Sequence, residues 1–328
     1  MEQLPRNQIL TGDAAATLRQ LPEASIDCVV TSPPYYGLRD YAADGQLGLE
    51  GDVTGWVEDL RSVCREVARV LKPSGAFWLN LGDSFSRHTR YGAPPKALLL
   101  APERLLLALA ADGWMVRNKV IWAKTNPMPS SNRDRLTLTW EGLYLLVRSG
   151  SYHFDLDVIR EPHTSTAPKI SLAAVEVPDG RETWAGPLAA SRGGLAKVKA
   201  SGRAGHPLGK NPGDVWRIAT SGFRGAHFAT FPPELVRRPI LATCPPLVCS
   251  DCGLPWGPVR GRPTSAVGPR CDLAVAPRPG VVLDPFFGTG TVGIVARDLG
   301  RDWLGIELKP EYVQLARERL GLDLEAAA

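Results

Sequence analysis

Val281-Val282-Leu283-Asp284-Pro285-Phe286-Phe287-Gly288-Thr289-Gly290-Thr291, followed by Trp303-Leu304-Gly305-Ile306-Glu307, decides the fold. The apolar run 281–284 reads as a buried strand, 291–299 as a helix, 303–307 as a second strand and 310–320 as a closing helix. A strand, a glycine-bearing turn, a helix and a strand ending in an acid make up the nucleotide-binding half of a doubly wound sheet. Gly288 and Gly290 let the backbone approach a ligand without Cβ interference, and the helix that follows aims free N–H groups at it. Glu307 sits where an acid can accept hydrogen bonds from ribose hydroxyls. Asp284 would repel a pyrophosphate but suits a cationic, amino-bearing cofactor, and S-adenosylmethionine meets that requirement.

The other half of the pattern lies near the start of the chain. The run 26–31, Ile-Asp-Cys-Val-Val-Thr, reads as a buried strand that must end at Pro33-Pro34, because proline cannot continue the ladder. Apolar residues from Trp56 to Leu71 recur at helical spacing, Lys72-Pro73-Ser74-Gly75 reads as a turn, and 76–81 as a strand. A second crossover unit follows, with a helix at 97–111 and a strand at 114–122. The stretches 136–147 and 152–159 read as further strands, one antiparallel pair at a sheet edge. Periodicity fades over 160–214, where Gly, Ser, Pro, Lys and Arg accumulate, and returns after Val215.

Ser32-Pro33-Pro34-Tyr35 suits an exocyclic amine on a nucleic-acid base. Such an amine is a poor nucleophile because its lone pair is delocalised into the ring. Acceptors for both of its N–H groups draw the nitrogen toward tetrahedral geometry, and Ser32 Oγ with the Pro33 carbonyl can supply them, fixed by the two prolines. Tyr35 would stack on a base flipped out of the duplex. Methylation at cytosine C5 would instead need a nucleophilic cysteine, usually after a proline, and none of the six cysteines follows one.

With both motifs in place, the chain resembles the permuted β group of S-adenosylmethionine-dependent DNA amino-methyltransferases, in which the catalytic motif precedes the cofactor motif. The resemblance implies an α/β, three-layer, Rossmann-like class I fold with a mostly parallel seven-stranded sheet. It also implies site-specific methylation of duplex DNA by base flipping and direct transfer. Serine at position 32 is typical of enzymes acting on cytosine N4, whereas N6-adenine enzymes usually carry Asp or Asn there. N6-adenine methylation is the alternative within this chemistry, and a catalytically silent DNA-binding protein that keeps the fold is the rival outside it.

By the same resemblance, Gly12-Asp13 matches the element contacting the cofactor's adenine, while Asp13 read alone is a helix cap. His227-Phe228-Ala229-Thr230-Phe231 resembles the segment against the methionine end, and the cofactor set is completed by Asp284, Pro285, Phe286, Gly288, Gly290, Thr291 and Glu307. The loop 122–133 resembles one near the target-base pocket; otherwise it is an exposed connector. The expected organisation is a catalytic part at 1–159, an inserted and partly flexible target-recognition region at 160–214, and a cofactor-binding part at 215–328. The resemblance implies either the protective half of a restriction system, with a restriction endonuclease partner, or a solitary methylase, and a homodimer is expected from the family only.

A net charge of +4 is compatible with a local nucleic-acid patch. The N-terminus lacks the charged and apolar regions of a secretory signal, and no apolar run is long enough to span a bilayer, so a cytoplasmic protein with no membrane association is expected. Six irregularly spaced cysteines do not form a disulfide scaffold. Within an insertion at 244–271, Cys249 and Cys252 have the spacing of a zinc knuckle, and Cys244 and Cys271 are candidates to complete a tetrahedral zinc site. The competing reading is a degenerate ribbon with reduced thiols.

Overall fold

Residues 4–163, 206–221, 231–258, 267–269, 271 and 275–322 are described in the structure, a computed structural model. The chain divides into two units, Met1–Asp155 with Asp214–Ala328, and Leu156–Gly213. The first contains, in order, β1 (Gln8–Thr11), α1 (Ala14–Leu18), β2 (Ile26–Thr31), α2 (Val53–Val70), β3 (Leu71–Leu81), α3 (Ala101–Ala111), β4 (Met115–Lys124) and β5 (Trp140–Val147). After the second unit come β6 (Val215–Ile218), α4 (Pro233–Thr243), β7 (Val248–Cys249), β8 (Trp256–Pro258), β9 (Val267–Pro269), β10 (Pro277–Arg278), β11 (Val281–Asp284), α5 (Thr291–Asp298), β12 (Asp302–Glu307) and α6 (Pro310–Leu320).

Among the described residues the main sheet has eight strands in the order β1-β12-β11-β2-β3-β5-β4-β6. Only β5 runs against the rest, antiparallel to both β3 and β4. Strands β2 and β11 are buried along their whole length, as expected of a sheet covered on both faces. On one face Leu18, Trp56, Leu60 and Leu105 pack with Ile26, Val29, Leu304 and Ile306. On the other, Leu235, Ile240, Val292 and Ala316 pack with Cys28, Val30 and Trp303. These are the two helical layers of a three-layer α/β fold.

Local chemistry sets the element ends. Asp52 caps α2 by accepting from Gly55 N at 2.9 Å, and the stripe Trp56, Leu60, Val63 and Val67 turns inward. Leu100, before α3, is left-handed at φ 55° and has no side-chain cap of its own. Asp83, at the end of β3, accepts from Leu100 N and Ala101 N instead.

Three expectations are corrected. The stretch 152–159 is not a strand; it ends in the 3-10 turn Asp157–Ile159. Lys72-Pro73-Ser74-Gly75 is not a turn off the sheet but the start of β3, where Leu71 pairs with Ile26 and a register shift absorbs the proline. Among the described residues the sheet has eight strands rather than seven, with β1 and β6, four residues each, at its two edges.

Of the unit Leu156–Gly213 only the two ends are described, and within it Glu161 bridges Lys210 while His163 Nε2 lies 2.9 Å from the His206 carbonyl. Most of the expected recognition region, 164–205, lies outside the described residues. No helix among the described residues is long and apolar enough to cross a membrane.

Candidate active site

The parallel strands all present their C-terminal ends to one edge of the sheet, and β5, running backwards, brings its N-terminal end, with Glu141 its second residue, to the same edge. There a cavity of about 670 Å³ is lined by Ser32 to Tyr35 from the end of β2, Pro285 to Thr289 and Thr291 after β11, and Glu307 at the end of β12. The two motifs, about 250 residues apart in sequence, thus share one concave site. It lies where β2 and β11 adjoin, the point at which successive crossovers leave in opposite directions.

The glycine turn is built by its own conformation. Gly288 and Gly290 have φ of 53° and 79°, and a Cβ on Gly290 would come within 3.2 Å of Ala316 Cβ and of Phe287 Cε1. Phe287 stacks on Trp303 with ring centroids 5.3 Å apart, beneath Gly305, whose absent side chain leaves the ring its space. Arg319 donates to the Thr289 carbonyl and Oγ1, both at 2.5 Å, and ties the turn to α6. Glu307 accepts from Gly288 N at 2.7 Å and from Lys309 N at 2.8 Å. These bonds aim its carboxylate at the cavity it lines, and burial raises its pKa against the pull of the backbone amides.

Asp284 is placed differently from the other expected cofactor residues. It is 1% exposed and is not among the residues lining the cavity. Its Oδ1 accepts from Thr31 Oγ1 at 2.5 Å and from Phe286 N at 3.0 Å, so it clamps the turn to the end of β2. Burial pushes its carboxyl up to about 7, with Thr31 and the Phe286 amide opposing. Asp13 lines the cavity and also caps α1, accepting from Ala16 N at 2.8 Å. Phe231 lines the cavity, whereas His227, Phe228 and Ala229 lie outside the described residues.

At the other end, the Trp56 indole donates to the Pro34 carbonyl at 2.9 Å and pins the Ser-Pro-Pro-Tyr turn to α2. Ser32 Oγ lies 3.0 Å from the Tyr35 hydroxyl, which also reaches Asn80 Oδ1 at 3.0 Å and Glu141 Oε2 at 2.8 Å. Burial, then the Glu141 charge, hold the Tyr35 phenol well above its usual range. Lys124 pairs with Glu141 at 2.5 Å and lies 5.1 Å from the Trp122 ring centroid. Of the loop 122–133, Trp122, Lys124 and Met128 line the cavity.

Sequence reasoning passed over several lining residues. Asn80, Glu141, Arg39, Tyr41, Lys309 and Tyr312 all face the cavity, and none belongs to a motif that announces it. Arg39 Nη1 is buried without a hydrogen-bond partner among the described residues. Lys309 Nζ donates to the Tyr41 carbonyl at 2.9 Å, joining the loop that carries Arg39 to the end of β12.

Away from this edge, the sulfurs of Cys249, Cys252 and Cys271 lie within 4.8 Å of one another. Gly253, at φ 69°, closes the knuckle by donating to the Cys249 carbonyl at 3.0 Å. The Cys249 thiol is raised by burial but lowered more by the amides of Cys252 and Asp251 and by the neighbouring thiols, to about 7. Cys244 is not in the group, which corrects the four-cysteine set: as the residue ending α4 it is buried with the helix's apolar face, and burial pushes its thiol well up. Cys28 and Cys64 are buried core residues.

Comparison with known proteins bears on the same residues. The N6/N4 DNA methylase family model matches residues 26–318. The type II methyltransferase M.Cfr9I of Citrobacter freundii is 35% identical over 95% of this chain and 87% of its own length. Among solved structures, the PvuII DNA methyltransferase (cytosine-N4-specific) shares the fold with a TM-score of 0.58 at 19% identity, covering 97% of this chain and 87% of that one. A putative DNA modification methylase from Thermus thermophilus, complexed with S-adenosyl-L-methionine, does so with a TM-score of 0.55 at 24% identity, covering 96% and 93%.

Proposed function

This chain belongs to the N6/N4 DNA methylase family, and from that premise we propose that it uses S-adenosylmethionine to methylate the exocyclic N4 of cytosine in duplex DNA at a specific site. The observation that carries the proposal is the single cavity joining the Ser-Pro-Pro-Tyr turn to the glycine turn and Glu307. The names of relatives such as M.Cfr9I favour a modification enzyme of the type II class, the protective half of a restriction system.

The cavity fits the cofactor. Its volume suits a ligand of that size. Both Glu307 oxygens are oriented by amides and retain lone pairs for ribose hydroxyls, and the buried Arg39 nitrogen calls for a ligand acceptor atom. Asp13, Phe286, Gly288, Phe231 and Glu307 would form the walls of this end. When bound, S-adenosylmethionine supplies an electrophilic methyl group on a sulfonium.

The rest of the chemistry belongs to the chain. Ser32 Oγ and the Pro33 carbonyl accept the two N–H groups of the flipped amine, localising its lone pair for direct attack. The Tyr35 ring provides the stacking face. It packs tightly enough on β3 that a Cβ on Gly82 would lie 2.7 Å from Tyr35 Cε2. Serine at position 32 favours cytosine N4 over adenine N6. In a methyl-transfer assay with labelled cofactor and unmethylated duplex DNA, the expected result is label in the DNA, and Ser32→Ala should lower kcat by about 100-fold or more at unchanged cofactor affinity. An inert wild-type protein, or a fully active variant, would contradict the assignment.

The three-thiol group supports a second, structural assignment. Cys249, Cys252 and Cys271 would hold a zinc ion as thiolates, in a structural role. The purified protein should contain about one zinc, lost in Cys271→Ser and kept in Cys244→Ser. Zinc-free protein with all thiols reduced would favour the degenerate ribbon.

A further inference from the structure

Resting on the reading of Ser32 as an acceptor for the target amine, we propose that Glu141 is a positioning residue that, through the Tyr35 hydroxyl, leaves Ser32 able only to accept on its cavity side. Three polar groups surround the Tyr35 hydroxyl, which has a single proton to give: Ser32 Oγ at 3.0 Å, Asn80 Oδ1 at 3.0 Å and Glu141 Oε2 at 2.8 Å. Asn80 Nδ2 is committed to the Gly142 carbonyl at 3.0 Å, which turns its oxygen, an acceptor, toward Tyr35. Glu141 is an acceptor too, because its other oxygen is paired with Lys124 at 2.5 Å.

Two fixed acceptors compel the Tyr35 hydroxyl to donate to one of them. The charged and shorter contact, to Glu141, is the stronger. Tyr35 then cannot donate to Ser32, so the Ser32 hydroxyl donates to Tyr35 and keeps only lone pairs for the cavity. That polarity matters because a base amine presents two N–H donors, and a serine free to rotate would spend part of its time opposing them with its own O–H. The strands fix the device: Glu141 is the second residue of β5, Asn80 pairs with Leu143 across β3 and β5, and Lys124 ends β4.

The arrangement predicts coupling among three side chains, read by a cycle of variants. Glu141→Gln keeps a partner for Lys124 but places an amide donor against the Tyr35 oxygen, where it competes for the lone pairs that receive the Ser32 proton. It should lower kcat by about 10-fold or more, with the KM for DNA and the Kd for S-adenosylmethionine within about twofold of wild type. Tyr35→Phe should lower kcat similarly, and Glu141→Gln/Tyr35→Phe should be no slower than Tyr35→Phe alone. In a Ser32→Ala background, Glu141→Gln should have no further effect.

Losses that multiply in the double variants overturn the proposal, as does a Glu141→Gln defect confined to DNA or cofactor binding. A lowered thermal midpoint identifies a variant whose loss comes from folding, and Glu141→Asp then takes the place of Glu141→Gln, with partial recovery expected. If the wild-type protein transfers no methyl group, the methyltransferase reading falls and this role with it; if it does and the losses multiply, this role alone falls.

Discussion

Asp284 combines complete burial, two hydrogen bonds to one oxygen and a carboxyl pushed up to about 7, chiefly by desolvation. Its folded pKa lies above the ordinary carboxylate value, so its stabilising contribution is complete below about pH 4 and is lost as the pH rises through about 7. Asparagine keeps the acceptor for Thr31 and Phe286 but has no charge to bury. Asp284→Asn should therefore gain stability relative to wild type between pH 5 and pH 8, by about 1–4 kcal/mol, in urea unfolding at the two pH values. An equal difference at both would contradict the account. Glu307 faces the ligand rather than the core, and Glu307→Gln should weaken S-adenosylmethionine binding about 10-fold or more by calorimetry, because an amide cannot accept through both its terminal atoms. Unchanged affinity would remove Glu307 from the cofactor site. Of these residues the sequence made the acids legible, since each ends a buried apolar run. It did not reveal that Asp284 stands behind the wall and Glu307 in it, because that depends on which way the turn between them folds.

At the scale of elements, strands are joined by polar contacts as well as by ladders. Asp27 in β2 pairs with Lys72 in β3 at 2.5 Å and accepts from Val281 N in β11 at 2.9 Å, with the pair's side chains 3% and 9% exposed. Removing the cation leaves a buried carboxylate uncompensated, and Lys72→Ala should cost about 3–5 kcal/mol in urea unfolding; a cost under about 1 kcal/mol would mean that Asp27 finds other compensation. Lys72 also donates to the Gly253 carbonyl at 3.3 Å, so the cysteine knuckle is anchored to the same pair. Strands β2, β11 and β12 were legible because they are continuous apolar runs. Strands β1 and β6 were not, because each has four residues and pairs with only one neighbour. Glu141 escaped notice for a related reason: its place in the site follows from β5 running backwards, and period-2 alternation carries no direction.

At the scale of the whole molecule, the recognition region proposed at 160–214 can be separated from the chemistry. In the unit Leu156–Gly213, the bridge between Glu161 and Lys210 and the contact from His163 to His206 bring the two ends of the intervening chain together. A short Gly-Ser linker in place of 164–205 is therefore expected to close without strain. That variant should bind S-adenosylmethionine with unchanged affinity and lose site-specific DNA methylation; retained site specificity would place recognition elsewhere. The central claim, transfer to an exocyclic base nitrogen, is tested most directly by incubating the wild-type protein with S-adenosylmethionine and unmethylated duplex DNA, then digesting to nucleosides for mass spectrometry. The account predicts N4-methylcytosine. N6-methyladenine would contradict the base assignment drawn from Ser32, and the absence of any modified base from DNA of broad sequence content would contradict the claim itself.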